Sequence, residues 1–232
     1  MNAIDILSKY WGYSTFRTKQ EEVIENVLNN KDVLAIFPVG EGKSLCYQIP
    51  ALMKNGICLV ISPLISLMTD QLRFLSSKGI KSIAINRNIN LNEIDDIFNK
   101  CKFGGVKFLF LSPERLQSSK IKSKLNDINI NLIAVDEAHC ISEWGHQFRP
   151  SFRKISDLRS ILPQTPILAL TATANKYVID DIISNLNFKK NHEIVKTSLK
   201  KKNVSYLVLE NTNKRNKLIE LVKKIKSSII IY

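Results

Sequence analysis

Short apolar runs alternate with helix-like segments along most of the chain. The runs are rich in Ile, Val, Leu and Phe, which is typical of strands buried on both faces of a parallel sheet. The segments between them repeat apolar residues at helical spacing, which predicts crossover helices. We therefore expect an α/β fold with a mostly parallel central sheet, with strands at 33–37, 57–61, 82–85, 107–111, 132–135, 167–170 and 193–196 and helices at 18–29, 43–53, 64–78, 91–100, 152–161 and 176–186.

The same alternation starts again near residue 203. A strand is expected at 205–209, a helix at 214–225 and another strand at 228–232. We therefore predict one domain at 1–202 and the first strand–helix–strand unit of a second α/β domain at 203–232. Because a domain does not usually end on a buried strand, we expect this second domain to be incomplete. One helix and two strands bury too little surface to be stable alone.

Charge and composition narrow the class of partner. The net charge is +13, and residues 189–226 carry twelve Lys/Arg against three Glu, which accounts for nine of those charges. Such a balance favours a polyanion such as a nucleic acid. The abundance of Asn, Ile and Lys is also typical of AT-rich genomes, so charge supports a nucleic-acid partner without establishing it.

Targeting and cysteine patterns favour an intracellular protein. No apolar stretch of about 18 residues is present and the N-terminus lacks the pattern of a signal peptide, so no membrane association is expected. The four cysteines show no CxxC spacing and are expected to be reduced and mostly buried. A zinc site from His139, Cys140 and His146 would lack a second ligand pair, so no structural zinc is expected in this chain.

A glycine-containing loop follows the first predicted strand and precedes a helix. Amides near Gly40 and Gly42 can form an anion-binding nest, and the helix N-terminus adds its dipole. Lys43 would reach the β and γ phosphates of a nucleotide, and the Ser44 hydroxyl would bind Mg²⁺. Phe37 occupies the first Gly position of the GxxxxGK[ST] pattern, so the strand–loop–helix context carries this prediction.

Two carboxylates directly follow the apolar run at 132–135. Asp136 and Glu137 would therefore stand at the rim of the sheet, where open α/β sheets bind ligands. Asp136 could hold Mg²⁺ and Glu137 could orient or deprotonate an attacking water. An Asp-Glu pair after a strand can also be a helix cap. The phosphate loop upstream favours catalysis, with Lys43, Asp136 and Glu137 as the catalytic residues.

The motifs together resemble those of RecQ-type superfamily-two DNA helicases. The resemblance covers about residues 6–232 in the family's motif order. It rests on Tyr13, Phe16-Arg17 and Gln20, on the segments 42–48, 61–71, 112–116 and 171–173, and above all on DEAHCISEWGHQFRP at 136–150. It implies a RecA-like P-loop lobe that uses ATP and Mg²⁺ to separate DNA strands with 3′-to-5′ polarity.

The resemblance implies an ATP site around the phosphate loop. Tyr13 would stack on adenine, and Arg17 and Gln20 would hold the base and the sugar–phosphate side; packing of Tyr13 in the first helix is the alternative. Val39 stands where Thr is frequent in the family, and Glu41 where Gly or an aromatic residue is frequent, and both could weaken nucleotide affinity. The implied ATP-binding residues are Tyr13, Arg17, Gln20, Val39, Gly40, Glu41, Gly42, Lys43, Ser44 and Leu45.

The resemblance also implies DNA contacts and coupling. Aromatic residues interleaved with a cation suit stacking on unpaired bases, although a hydrophobic plug over the sheet is the alternative. For Arg115 a structural ion pair is a competing interpretation, and for the two Thr a capping role. The implied DNA-binding and coupling residues are Ser62, Pro63, Ser112, Glu114, Arg115, His139, Trp144, His146, Phe148 and Arg149, with Thr171 and Thr173 linking the two ATPase lobes.

The sequence therefore predicts an ATP-dependent DNA helicase acting with DNA in the cell, in the nucleus or the cytoplasm. A second lobe would supply arginine fingers, so the 232 residues as given are expected to bind ATP–Mg²⁺ and DNA weakly and to unwind nothing. The alternatives are a non-catalytic nucleotide- and nucleic-acid-binding module and a small-molecule P-loop kinase. DNA-stimulated ATPase activity separates the first interpretation from the other two.

Overall fold

The computed structural model describes residues 2–17, 19–86, 89–145, 147–198, 204–205, 207–210 and 213–231. The chain divides into two compact units, Met1–Leu199 and Lys200–Tyr232. Within the described ranges, no helix has both the length and the apolar character needed to cross a membrane.

The first unit is built on seven strands joined by helices. The strands are β1 (Val33–Ile36), β2 (Ile57–Ile61), β3 (Ser82–Ile85), β4 (Phe108–Leu111), β5 (Ile130–Val135), β6 (Ile167–Thr171) and β7 (Glu193–Lys196). The helices are α1 (Ala3–Trp11), α2 (Gln20–Leu28), α3 (Leu45–Met53), α4 (Ile65–Ser77), α5 (Leu91–Phe103), α6 (Ser119–Leu125), α7 (Pro150–Arg153), α8 (Asp157–Ile161) and α9 (Lys176–Asn185). Short 3-10 turns occupy Arg115–Gln117, Ala138–Ile141 and Lys154–Ser156.

The strands form one parallel sheet in the order β3-β4-β2-β5-β6-β1-β7. Alternate residues of each strand enter opposite cores: Leu34 and Ile36 pack on one face, and Val33 and Ala35 on the other. This two-sided burial explains why the strands read as unbroken apolar runs. The predicted α/β class and parallel sheet are confirmed.

A buried carboxylate ties three strands together at the amino edge of the sheet. Asp32 is fully buried just before β1, and its Oδ2 accepts hydrogen bonds from Arg159 Nη2 at 2.6 Å and from the Lys189 amide at 2.7 Å. Its Oδ1 accepts from the amide of Ile167, the first residue of β6, at 2.7 Å. The charge of Asp32 is therefore paired and fully hydrogen-bonded, as burial requires.

Three helix predictions need correction. Helix α1 and helix α6 were not expected, and the helix expected at 152–161 is divided into α7, a 3-10 turn and α8. The Ser156 hydroxyl donates to the Arg153 carbonyl at 2.8 Å, a local bond that favours a tighter turn over a continuous helix.

The second unit contains helix α10 (Lys214–Lys224), whose N-terminus is capped by Asn213. The strands expected at 205–209 and 228–232 are not formed in the described residues of this unit, where 204–205, 207–210 and 229–231 have no sheet pairing. The apolar pattern alone was insufficient, because a strand is stable only beside a partner strand.

Candidate active site

The phosphate loop and the two acids lie on the same edge of the sheet. The loop follows β1 and the acids follow β5, and β6 lies between these strands. The Phe37 amide donates to the Thr171 carbonyl at 3.0 Å, which fixes the loop beside the end of β6. The Asp136 amide donates to the Ile61 carbonyl at 2.9 Å, which fixes the acids beside the end of β2. The sheet thus brings together motifs about one hundred residues apart.

The phosphate loop turns on two glycines with positive φ, Gly40 at 88° and Gly42 at 72°. Lys43 is half-buried, and its Nζ donates to the Phe37 carbonyl at 3.0 Å and more weakly to the Pro38 carbonyl at 3.5 Å. Helix α3 begins directly after Ser44, so its N-terminal amides and dipole lie at the loop. This geometry suits the binding of an anionic group.

Arg17 and Gln20 hold the loop from outside. The Gln20 side chain donates to the carbonyls of Glu41 at 3.0 Å and Gly42 at 3.1 Å, and accepts from the Arg17 amide at 2.9 Å. The Arg17 guanidinium donates to the Gly40 carbonyl. Both residues therefore contact the backbone of the phosphate loop, while their contacts to a nucleotide base and sugar stay predictions.

A cavity of about 620 Å³ adjoins the loop and could receive a nucleotide base. Tyr13 is 53% exposed at its wall, and Arg17, Gln20, Gly40, Gly42, Ser44 and Leu45 also line it. Val39 is 71% exposed. Nine lining residues were not among the predicted site residues: Leu7, Trp11, Gly12, Ser14, Thr15, Phe16, Gln48, Gln71 and Phe74. Of these, Gln71 lies within a quoted motif and accepts a hydrogen bond from Gln48 at 2.9 Å.

The acids are held close together and only partly exposed. Burial, and secondarily the charge of Glu137, raise the pKa of Asp136 to about 6, while Lys43 acts in the opposite direction. Glu137 adopts a left-handed backbone conformation, with φ 49° and ψ 45°, that is costly away from glycine and recurs at functional sites. Its amide donates to Asp136 Oδ1 at 3.0 Å.

The donor atoms at this edge fit Mg²⁺. The Ser44 hydroxyl and the Asp136 carboxylate are hard oxygen ligands of the type that Mg²⁺ prefers. Burial first, and then the charge of Glu137, raise the pKa of Asp136, and a bound divalent cation would stabilise its charged form.

His139 connects the catalytic acid to the end of β6. Its Nδ1 lies 3.3 Å from Glu137 Oε2 and 3.0 Å from Thr171 Oγ1. The Thr171 hydroxyl donates its single hydrogen to the Thr173 carbonyl at 3.1 Å, so it accepts from His139. Nδ1 is therefore the protonated nitrogen that faces both acceptors. We refer to Glu137, His139 and Thr171 as the relay.

The aromatic loop, residues 144–149, lies beyond the relay. Trp144 is 71% exposed, and Phe148 lies under the Arg153 guanidinium, whose carbon is 5.1 Å from the ring centroid. Arg149 Nη1 donates to the Pro63 carbonyl at 3.0 Å, which joins this loop to the start of α4. The predicted residue His146 lies outside the described residues.

The segments predicted to grip DNA are held mainly by contacts within the protein. Ser62 and Ser112 are only 3% and 4% exposed as whole residues, so neither presents an open surface to a phosphate. Arg115 donates to the carbonyls of Asn86 and Ile89, and Glu114 accepts from the Ser151 hydroxyl at 2.9 Å. These contacts give Arg115 a structural role, as in the competing interpretation of an ion pair. Its partners, however, are carbonyl groups rather than an acid.

Comparisons with known proteins agree with this arrangement. The sequence profile of the DEAD/DEAH box helicase family matches residues 17–182. The chain is 42% identical over 230 residues to the ATP-dependent DNA helicase RecQ of Pasteurella multocida, and 43% identical over 223 residues to the RecQ of Bacillus subtilis. These alignments include 98% and 95% of this chain but only 36% and 38% of the relatives' own lengths.

The fold is also similar to that of solved helicases. The DUF1998 helicase MrfA bound to DNA superposes with a TM-score of 0.67 at 17% identity, over 85% of this chain and 29% of that one. A hypothetical ATP-dependent RNA helicase from Sulfolobus tokodaii gives a TM-score of 0.62 at 20% identity, over 85% of this chain and 57% of that one. At these identities the likeness establishes the RecA-like fold.

Proposed function

Because this chain belongs to the DEAD/DEAH box helicase family, we propose that it carries the ATP-hydrolysing part of a RecQ-type DNA helicase. The reaction is Mg²⁺-dependent hydrolysis of ATP, stimulated by DNA and used to separate its strands. The observation that carries this proposal is the relay, which connects the catalytic Glu137 to Thr171, between the phosphate loop and the acids. The 3′-to-5′ direction rests on the resemblance to RecQ alone.

Hydrolysis begins with the release of Lys43 from its own loop. The Lys43 ammonium exchanges the Phe37 and Pro38 carbonyls for the charged phosphates, which form stronger hydrogen bonds. Ser44 and Asp136 would hold Mg²⁺, which would supply charge neutralisation at the phosphates. Water then attacks the transferred phosphoryl group at the carboxyl edge of the sheet.

Glu137 orients the attacking water and accepts its proton. Its carboxylate is held by the contact of 3.3 Å to His139, so the rotamer of Glu137 depends on His139 and Thr171. A small displacement of a positioned base has a large effect on rate. The relay therefore gives distant contacts a physical means of altering hydrolysis.

The adenine base of ATP and the DNA bind to separate surfaces. Tyr13 stacks on adenine at the open wall of the cavity, with Arg17 and Gln20 beside it. Trp144, Phe148 and Arg149 contact DNA, together with the backbone at Pro63, to which Arg149 is already bonded. A change in the aromatic loop reaches Glu137 through His139.

The domain organisation belongs to the same proposal. Residues 1–202 form the ATP-binding lobe, and 203–232 begin a second lobe whose arginine fingers complete the site. Such residues contribute roughly 10³–10⁵ in rate. The 232 residues alone are therefore expected to bind ATP and DNA without separating strands.

Replacement of Lys43 tests the proposal. Lys43→Ala should abolish DNA-stimulated ATPase activity in the protein with both lobes, because the phosphates lose their main cation, while circular dichroism stays unchanged. Lys9→Ala, at an exposed position on α1, is the matched control and should keep wild-type turnover. Unchanged turnover in Lys43→Ala would refute the assignment of this loop. Wild-type hydrolysis without DNA stimulation would favour a small-molecule kinase.

A further inference from the structure

Tyr177 lies beside the aromatic loop, although its sequence context gave it no role. The ring centroids of Trp144 and Tyr177 are 5.9 Å apart and the planes are inclined by 35°. The two residues are 71% and 67% exposed, so most of both rings faces solvent. Two large aromatic rings in contact at a surface form a ready stacking area.

A second contact from helix α9 fixes this arrangement. The Ser142 hydroxyl donates to Asp181 Oδ2 at 2.5 Å and accepts from the Trp144 amide at 3.2 Å. Tyr177 and Asp181 are four residues apart on α9 and so lie on the same face. One helix face therefore holds both the backbone and the ring of Trp144.

We propose that Trp144 and Tyr177 form a platform on which an unpaired base of single-stranded DNA stacks. This inference rests on the proposed function and adds Tyr177 as a DNA-contacting residue. Every base has an apolar π-face that stacks on aromatic side chains, whatever its sequence identity. The Tyr177 ring supplies that face and also supports the indole from α9.

The charges around the platform favour a nucleic acid over an apolar protein surface. Two nearby carboxylates are already bonded: Asp181 accepts from Ser142, and Glu143 pairs with Arg153 at 2.9 Å. Arg149 lies in the same loop, and Lys176 directly precedes Tyr177. Arg149 and Lys176 are therefore the cations closest in sequence to the platform, available to the phosphates on either side of a stacked base, and the exposed Asp180 on α9 is the opposing charge.

The platform also adjoins the relay. A cavity of about 320 Å³ beside Trp144 is lined by His139 and Thr173, whose carbonyl accepts from Thr171. A base that moves Trp144 would therefore act on the residues that position Glu137. The contact of Trp144 with this cavity would therefore connect base stacking to ATP hydrolysis. Stacking itself requires no bound nucleotide.

The test is the binding of the 232-residue chain to a fluorescent oligothymidine, measured by anisotropy at low salt without nucleotide. Tyr177→Ala should weaken binding by about fivefold or more, the loss expected for one stacked base. Tyr177→Phe keeps the ring and should bind within about twofold of wild type, whereas Tyr177→Leu keeps only apolar bulk and should behave like Tyr177→Ala. Phe103→Ala, an equally exposed aromatic at the opposite edge of the sheet, is the control and should have no effect.

An oligonucleotide with abasic sites separates stacking from charge. It keeps the phosphates, so wild type and Tyr177→Ala should bind it equally. If wild type binds oligothymidine and Tyr177→Ala binds it as tightly, the platform is refuted while the proposed function stands; a protein-docking role would give that result. If wild type binds no oligonucleotide, the platform and the DNA-binding part of the proposed function both fail.

Discussion

The Nδ1 atom of His139 lies 3.0 Å from the Thr171 hydroxyl, across 32 residues of sequence. Thr171 ends β6, the strand between the phosphate loop and the acids. His139 thus belongs to the acidic motif but is positioned by the neighbouring strand. Hydrolysis should depend on this contact.

Thr171→Val tests the relay because it removes the hydroxyl and nearly preserves the volume. One lost hydrogen bond of roughly 0.5–1.5 kcal/mol corresponds to a fall in turnover of about twofold to tenfold. Steady-state ATPase kinetics should show this fall in kcat with little change in KM. Thr165→Val is the matched control, because the Thr165 hydroxyl donates to the Ile130 carbonyl at 3.3 Å, at the amino edge of the sheet and away from the candidate site. An equal loss in both variants would contradict the relay.

Trp144→Ala should separate DNA stimulation from basal hydrolysis. The indole lies outside the catalytic edge, so the basal rate should stay within about twofold of wild type, while DNA-stimulated turnover should fall by about tenfold, in line with the loss of one stacked base. Both rates are measured on the same preparation with and without single-stranded DNA. Trp144→Phe keeps a ring and should retain most of the stimulation. A proportional fall in both rates would assign the loop a structural role.

Gly42→Ala should weaken ATP binding through a specific clash. The new Cβ would lie 2.5 Å from Gln20 Nε2, at a residue with φ +72°. The left-handed conformation alone costs about 1–2 kcal/mol for an L-residue, and displacement of Gln20 should raise the KM for ATP by about tenfold, as for a loss of two hydrogen bonds. Gly105→Ala has the same φ but meets nothing within 4 Å. It should lower thermal stability and leave the KM unchanged, and a matching rise in its KM would contradict this account.

Asp32→Ala should destabilise the fold without a direct effect on the site. It leaves Arg159, the Ile167 amide at the start of β6 and the Lys189 amide before β7 without their acceptor, and the loss of one partner of a buried pair costs about 3–5 kcal/mol. Urea unfolding followed by circular dichroism measures the free energy of unfolding. Glu143→Gln breaks an exposed pair with Arg153 and should cost less than about 1 kcal/mol. Equal losses would show that Asp32 contributes no more than a surface carboxylate.

Buried strands were the most predictable part of the fold. The run at 57–61 matches β2, which is buried at all five positions, because two-sided burial gives a clear apolar pattern. The runs at 82–85 and 193–196 also match β3 and β7, although these two edge strands are only partly buried. Helix α6 escaped prediction because its sequence SKIKSKL has two buried residues, Ile121 and Leu125, too few for a helical period. Helix α1 had a usable signal, since Asn2 and Asp5 form a capping box.

The candidate site was predictable where its chemistry restricts residue type. The motifs alone pointed to Lys43, Asp136 and Glu137, and the sheet brings all three to one edge, while their catalytic roles stay predictions. Contacts between segments that are distant in sequence could not be predicted from the sequence. The bonds of Gln20 to the loop carbonyls and the contact between Trp144 and Tyr177 depend on how distant elements pack, and no local pattern encodes that packing.

The hydrogen bonds of Lys43 to its own loop set the minimum interaction strength that an anionic ligand must offer to displace them. Any anion that enters must first compete with the Phe37 and Pro38 carbonyls for the ammonium. A ligand with one phosphate gains little from that exchange, whereas a triphosphate offers several charged oxygens at once and also reaches the amides of the loop. Under the proposed function, we therefore expect the loop to select ligands by their number of phosphates, so that ATP is favoured over inorganic phosphate.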